Sequence, residues 1–328
     1  MRAVLIVNPN ATSTTRSGRD LLAHALKSRL DLAVEHTRYR GHAIELAQKA
    51  TADGIDLVIA HGGDGTVHGV VNGLLGSPGA LPAGHVPALA VVPGGSANVF
   101  ARALGLAADP MDATNQVIDL INRHQDGQGW RRIGLIDCGE KWSVLNAGMG
   151  VDAEIVAAVE AQREKGRNVT AFRYIRATVP TLLASARRTP TLTVRLAGRD
   201  PVPGVHFAFV SNCSPWTYAN KRPVFTNPGC TFESGLGVFA ITSTKVLPTA
   251  RLSRQMLSKR PKLQAKQLIR DDDVAEIRIT TQDKPIATQI DGEYIGARTE
   301  MTFRAVPDAL DVVAPPSQAG GETPRNQR

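Results

Sequence analysis

Little in this chain of 328 residues could cross-link it, anchor it in a bilayer or stack it on nucleic acid. It has 3 cysteines, Cys138, Cys213 and Cys230, odd in number and widely spaced. That excludes a disulfide framework and a paired-thiol metal site, and leaves reduced, buried thiols. Aromatic residues make up 5% of the chain, too few for the stacking surfaces that hold single-stranded nucleic acid. No apolar run approaches the roughly 20 residues of a membrane-spanning helix. The N-terminus enters a strand-like run at Ala3 without a basic n-region and apolar h-region, so the expected compartment is the cytoplasm.

What is present suits two globular domains with real cores, at 42% hydrophobic residues. A formal charge of +8 implies attraction to something anionic. Part of that charge is concentrated: from Arg251 to Arg270 there are 7 basic residues (Arg251, Arg254, Lys259, Arg260, Lys262, Lys266, Arg270) and no acidic ones. Leu252, Met256, Leu257, Leu263 and Leu268 are interleaved with them. Such a segment is either a peripheral contact with anionic lipid or a solvated face of a basic protein.

The most informative stretch runs from Asp56 to Thr66: Asp56-Leu57-Val58-Ile59-Ala60-His61 and then Gly62-Gly63-Asp64-Gly65-Thr66. An apolar β-type run stops at glycines and then changes to helical spacing, with Val67, Val70, Val71, Leu74 and Leu75 on one face. Glycines let phosphate oxygens reach the main chain and permit positive φ, while the helix aims its positive end at the loop. Thr66 can cap that helix or donate to phosphate. Asp64 is unfavourable beside phosphates unless a divalent metal or a transferable proton intervenes, which suggests phosphoryl transfer. A Gly-Asp-Gly turn closing a strand is the plainer reading. A second strand, Ala88 to Val92, ends in Pro93-Gly94-Gly95-Ser96-Ala97-Asn98 and repeats the logic. Asn98 either reaches a nucleotide or caps the next helix, and Arg102 either contacts phosphate or has a structural role.

Strand and helix signals alternate through the first third: Ala3 to Val7, Ser17 to Leu30, Leu32 to Thr37, His42 to Ala52 and Ile55 to Ala60. They predict a parallel sheet with ligands at the carboxyl ends of its strands. Beyond Trp130 come short β-like runs at 132–138, 142–146, 192–196, 205–210, 236–242, 275–281 and 301–305, with helices at 152–163, 169–185 and 248–257. The expected domains are 1–129 and a β-rich 130–314, with the last segment free to return to the first domain. A disordered Pro/Gly/polar tail follows at 315–328.

Asn8-Pro9, Thr37, Gly41-His42-Ala43, Gly62-Gly63-Asp64-Gly65-Thr66, Pro93 to Asn98, Gly235-Leu236-Gly237 and Asp291-Gly292-Glu293 together resemble the diacylglycerol kinase catalytic family, which includes sphingosine and ceramide kinases. The resemblance covers the chain to about Pro315. It implies an N-terminal α/β domain with a parallel sheet, of the kind NAD kinases share, and a β-rich C-terminal domain forming a β-sandwich. It implies a cytoplasmic enzyme, peripheral at the inner membrane face, that transfers the γ-phosphate of ATP to a lipid hydroxyl, diacylglycerol first among the candidates. ATP would be bound by Asn8, Thr37, Gly62, Gly63, Asp64, Gly65, Thr66, Val67, His68, Gly95, Ser96 and Asn98. Asp64 matches the aspartate near the catalytic Mg2+, and Glu293 the carboxylate that takes the lipid proton. His68 is otherwise read as a surface or helix-packing residue, and His42 as a buttress of the sheet or loop. Partners would be the lipid substrate and anionic phospholipid at Arg251–Arg270, with no nucleic acid and a homodimer left open. Two positions depart from the family: Val99 stands where an aspartate is common, and Ser234 where many relatives hold a structural metal. An NAD kinase and a catalytically silent nucleotide- or lipid-binding regulator are the rival readings.

Overall fold

The computed structural model describes residues 1–11, 13, 15–150, 153–154, 189–219, 222–258, 261–282 and 284–317. Its first half is β1 (Arg2–Val7), α1 (Arg16–Lys27), β2 (Asp31–His36), α2 (His42–Ala52), β3 (Leu57–Gly62), α3 (Asp64–Leu75), β4 (Ala88–Pro93), α4 (Val99–Ala103) and α5 (Pro110–Gln125). β4 is a continuous apolar run and β3 is apolar but for His61, with every residue buried, as expected of central parallel strands covered on both faces. The parallel order β2-β1-β3-β4 sets Val7 beside His36 and His61, and Gly62 beside Pro93. The carboxyl ends of all four strands therefore share one rim.

Two helices show how local sequence fixes their placement. α5 begins at Asp109, whose carboxylate accepts from Met111 N and Asp112 N, with Pro110 at the position that needs no N–H donor. α3 is buried from Thr66 to Leu75. Its Gly73 lies against α2 so closely that a Cβ there would sit 2.4 Å from Ile44 O. The glycine is thus a packing requirement that brings α3 deep into the layer beneath the rim.

The second half is β5 (Arg131–Asp137), β6 (Trp142–Ser143), β7 (Asn146–Gly150), β8 (Leu192–Leu196), β9 (Val202–Val205), β10 (Phe207–Ser211), β11 (Thr217–Ala219), β12 (Arg222–Val224), β13 (Leu236–Ile241), α6 (Val246–Met256), β14 (Leu268–Val274), β15 (Glu276–Thr281), β16 (Ile286–Ile290), β17 (Glu293–Arg298) and β18 (Glu300–Val312). β14-β13-β10-β7-β16-β17 form an antiparallel sheet. It packs on β8, β15 and β18 through one core that includes Met149, Val194, Val210, Val238, Ile277 and Phe303, which is the β-sandwich. Alternate residues Phe207, Phe209, Phe239 and Ile241 point to its other face, where Leu252 of α6 and Leu263 cover them.

The two halves are joined by β18. It pairs with β15 and β5, bends between Val306 and Leu310, and ends with Val312 beside Leu89 of β4. One sheet thus runs from β2 through β4 and β18 to β9. Residues 315–317 are seated rather than loose: Arg131 Nη1 donates to Pro315 O at 3.2 Å and Ser317 Oγ to Glu233 Oε2 at 3.0 Å. The rest of the expected tail, 318–328, lies outside the described residues, as do nearly all of the helices expected at 152–163 and 169–185.

The basic stretch is not one segment. α6 ends at Met256, Lys259 and Arg260 lie outside the described residues, and Arg270 belongs to β14, where it binds Asp272 at 2.7 Å. Its expected membrane-facing leucines are corrected too: Leu252 and Leu263 are buried against the phenylalanines, because that sheet face needs a cover. No helix among the described residues is long and apolar enough to cross a membrane.

Candidate active site

The rim at the carboxyl ends of β1 to β4 is built by close backbone contact. Gly94 N donates to Gly62 O at 2.8 Å. A Cβ on Gly95 would lie 2.7 Å from Gly63 Cα, and one on Gly62 would lie 2.4 Å from Thr66 Oγ1. None of Gly62, Gly63, Gly65, Gly94 or Gly95 has a positive φ, which corrects the expectation of left-handed backbone: these glycines exist to let two loops touch. Gly65 is exposed with nothing within 4 Å of its absent Cβ. The N-cap of α3, Gly63, offers no side chain, so the first turn of a buried helix opens toward the rim without a cap. That is the geometry that receives an anion.

The expected ligands divide at this point. Asn8 is half-buried and its Nδ2 donates to Thr66 Oγ1 at 3.2 Å; Thr37 is half-buried at the end of β2 and Ser96 is exposed. All three border the opening. Asn98 does not reach it: its Oδ1 accepts from Gly95 N and its Nδ2 donates to Gly95 O, both at 2.8 Å, so its amide shapes its own turn. Val67 is 1% exposed and belongs to the core, a correction for its side chain. Arg102 lies over the Tyr218 ring, 3.2 Å from its centroid, in a structural role. His42 stacks on Tyr39 and accepts from Arg38 N, bracing the loop that carries Arg40.

Asp64 turns away from solvent. Oδ1 accepts from Phe100 N at 3.0 Å and Oδ2 from Val99 N at 3.1 Å, so the carboxylate caps α4 from the neighbouring loop. Burial pushes its pKa up against the pull of those amides. Val99 has its side chain buried and contributes its N–H. Among the described residues no group of three or more His, Cys, Asp or Glu could hold a metal ion. At Ser234, the hydroxyl donates within its own turn, and Asp272 and Asp273 accept from Gly229 N and Gly235 N.

One turn into α3, His68 turns toward the second half of the chain and is buried, which corrects its reading as a surface residue. Its Nδ1 lies 2.8 Å from Asp291 Oδ2, and its Nε2 lies 3.6 Å from Glu293 Oε2. Asp291 occupies the tight turn between β16 and β17 at φ +48, a conformation Asp tolerates better than most residues. Its side chain is fully buried yet satisfied: Ser143 Oγ (2.8 Å) and the amides of Val144 (2.7 Å), Leu145 (2.9 Å) and Asn146 (2.9 Å) all donate to it. Burial raises its pKa, but the hydrogen bond and charge of His68 and the amides outweigh this, so the carboxyl stays ionised. Burial likewise lowers the pKa of His68, and its two carboxylate neighbours overcome that to bring it to about 9. At neutral pH the ring is an imidazolium. One turn further, Asn72 Nδ2 donates to Trp142 O at 3.0 Å and Trp142 N to Asn72 Oδ1 at 2.9 Å, so α3 is tied directly to β6.

Glu293 completes the cluster at the start of β17. Oε1 accepts from Arg40 Nη2 at 3.0 Å and Oε2 from Lys141 Nζ at 3.0 Å. His68, then Lys141 and Arg40, hold its carboxyl well below the usual carboxylate range against the opposing effect of burial. Glu293 and Asp64 were expected from the sequence; Arg40, Lys141, Ser143, Asn72 and the anchoring work of Asp291 were not. The Asp291-Gly292-Glu293 turn was the one visible signal for the last.

Comparison with known proteins places the chain beside lipid kinases. Residues 2–127 match the diacylglycerol kinase catalytic domain. "Probable lipid kinase YegS-like" of Stenotrophomonas maltophilia is 26% identical over 309 residues, covering 90% of this chain and 91% of that protein. The diacylglycerol kinase of Bacillus subtilis is 36% identical over 134 residues, covering 38% of this chain and 40% of its own length. The crystal structure of a diacylglycerol kinase from Bacillus anthracis superposes with a TM-score of 0.70 at 19% identity, covering 96% of this chain and 97% of that one, and shows the same fold. Residues 2–127 thus carry the likeness to the diacylglycerol kinase catalytic domain, and the kinase-named relatives support a phosphotransferase with an alcohol acceptor.

Proposed function

We propose that this diacylglycerol-kinase-type phosphotransferase moves the γ-phosphate of ATP to the hydroxyl of a membrane lipid, with diacylglycerol giving phosphatidic acid as the leading pair. The observation that carries this reading is α3 itself. Its uncapped first turn faces an open glycine rim, and one turn later His68 meets a carboxylate pair from the other half of the chain. Phosphate handling and proton handling therefore meet on a single helix.

In this reading the γ-phosphate lies against the first turn of α3, where Gly65 leaves room and the helix end favours negative charge. The lipid hydroxyl gives its proton to Glu293, its oxygen forms a bond to the γ-phosphorus, and the bond from that phosphorus to the β–γ bridging oxygen breaks. ADP departs with that electron pair. Asp291 and His68 keep Glu293 in place from behind. Magnesium is read as arriving on the triphosphate: Asp64 already caps α4 with both oxygens, and the described residues hold no preformed seat for the ion.

The surface offered to an anionic membrane would be α6 and the loop after it. Leu247 is 86% exposed, and Arg251, Arg254, Lys262 and Lys266 are exposed. Transfer of labelled γ-phosphate to a panel of diacylglycerol, ceramide, sphingosine and phosphatidylglycerol, with and without magnesium, tests the reading. Magnesium-dependent transfer to a lipid is expected. Transfer to NAD alone, or to nothing, overturns it.

A further inference from the structure

We propose that Arg40 and Lys141 are the cations that receive the γ-phosphate, and that Glu293 holds both until the nucleotide arrives. This rests on the kinase reading above and adds to it two phosphate-binding residues and an order of events.

The two side chains reach one carboxylate from different halves of the chain. Arg40 stands on the loop after β2, on the rim that carries Asn8, Thr37 and Gly63. Lys141 stands between β5 and β6, where Cys138 N donates to Lys141 O. Each carboxylate oxygen of Glu293 holds one of them at 3.0 Å, with His68 Nε2 at 3.6 Å beside the second. Three cations, Arg40, Lys141 and the His68 imidazolium, thus gather around two carboxylates, Glu293 and Asp291. His68 ties this cluster to α3, whose start is uncapped. Both features attract an anion.

Exposure says which pairs can exchange. His68 and Asp291 are 7% and 0% exposed and locked by further hydrogen bonds. The Arg40 side chain is 65% exposed and that of Lys141 34%. Exposed ion pairs contribute little and are readily exchanged. A phosphate oxygen array competes well for them, because it carries more charge and accepts from an arginine fork along two bonds. A carboxylate with a cation on each oxygen is also a poor acceptor for an alcohol proton. Transfer of Arg40 and Lys141 to the γ-phosphate frees Glu293 at the moment when a base is required. The same two cations then offset charge on the transferring group.

Calorimetric titration with ADP and with a non-hydrolysable β,γ-imido analogue of ATP separates this from a purely structural ion-pair cluster. Arg40→Gln and Lys141→Gln are each expected to weaken the triphosphate analogue about tenfold and ADP less than about twofold. Arg40→Lys, which keeps the charge, should recover most of the loss. Glu293→Gln removes the competitor and should tighten the triphosphate analogue several-fold, an effect that disappears in Arg40→Gln/Glu293→Gln/Lys141→Gln. Equal losses for both nucleotides, or an unchanged affinity in Glu293→Gln, overturn the handover while leaving the kinase reading intact. Failure of the unaltered protein to bind either nucleotide overturns both.

Discussion

Replacement of Asp291 by Asn should uncouple the stability of this protein from the charge of His68. The side chain of Asp291 is fully buried and accepts five hydrogen bonds, from His68, Ser143, Val144, Leu145 and Asn146. An amide there loses the charge and places an NH2 group against at least one of the donors. Breaking a buried ion pair on one side typically costs about 3–5 kcal/mol. The pH dependence is the sharper readout. His68 rises from 6.5 to about 9 in the folded protein, which at about 1.36 kcal/mol per unit corresponds to about 3 kcal/mol. Because the folded value is the higher one, this contribution is fully present below pH 6.5 and is lost as pH climbs through 9. Asp291 acts in the opposite sense, with a lowered folded pKa whose contribution is lost in acid. Urea unfolding of the unaltered protein at half-unit steps from pH 6 to 9.5 should show stability falling by about 3 kcal/mol. In Asp291→Asn the starting stability should be lower and the decline largely gone, since only Glu293 still faces the ring. A variant that keeps the full slope, or loses less than about 1 kcal/mol at pH 7, would refute the assignment of His68 as a buried imidazolium held by Asp291.

Three further tests address the rim, the base and the membrane face. Gly95→Ala forces a Cβ to within 2.7 Å of Gly63 Cα, so thermal unfolding should register a loss of about 1–3 kcal/mol together with weaker nucleotide binding; Gly65→Ala, in open space, should leave stability unchanged or up to about 1 kcal/mol higher and weaken only the nucleotide. Glu293→Gln should lower turnover by at least about 100-fold while ADP affinity stays within about threefold, as steady-state kinetics beside calorimetry would show. Leu247→Asp, at a side chain 86% exposed, should reduce sedimentation with phosphatidylglycerol vesicles without moving the unfolding midpoint; equal sedimentation would remove α6 from the membrane contact.

The parallel half was legible because its signals are local. Ala88–Pro93 is an unbroken apolar run, Leu57–Gly62 is one but for His61, and His42–Ala52 begins and ends where its spacing does. Other elements hid for definite reasons. β14 carries Asp271, Asp272 and Asp273 in succession, a composition that speaks against a strand until it is known to lie at a sheet edge. α5 starts at Asp109-Pro110, a signal easily taken for a turn, although its buried Ala113, Val117 and Ile121 recur at helical spacing. At the site, the glycine loops could be read as phosphate-competent, but the capping of α4 by Asp64 could not, because the amides it accepts from come from a different loop, 35 and 36 residues on. Arg40 and Lys141 could not be read at all. Their meeting with Glu293 spans 253 and 152 residues and depends on two halves of the chain closing on one helix.

The pairing of β18 with β4 has a consequence for how the protein is made. β18 is the last strand among the described residues, and only its far end, at Val312, reaches Leu89. During synthesis the nucleotide half is therefore translated in full long before its sheet can be closed. Until β18 is made, β4 stands as an open apolar edge, the kind of surface that recruits chaperones or stray strands. A chain cut before Val312 therefore leaves Leu89 of β4 without its parallel neighbour.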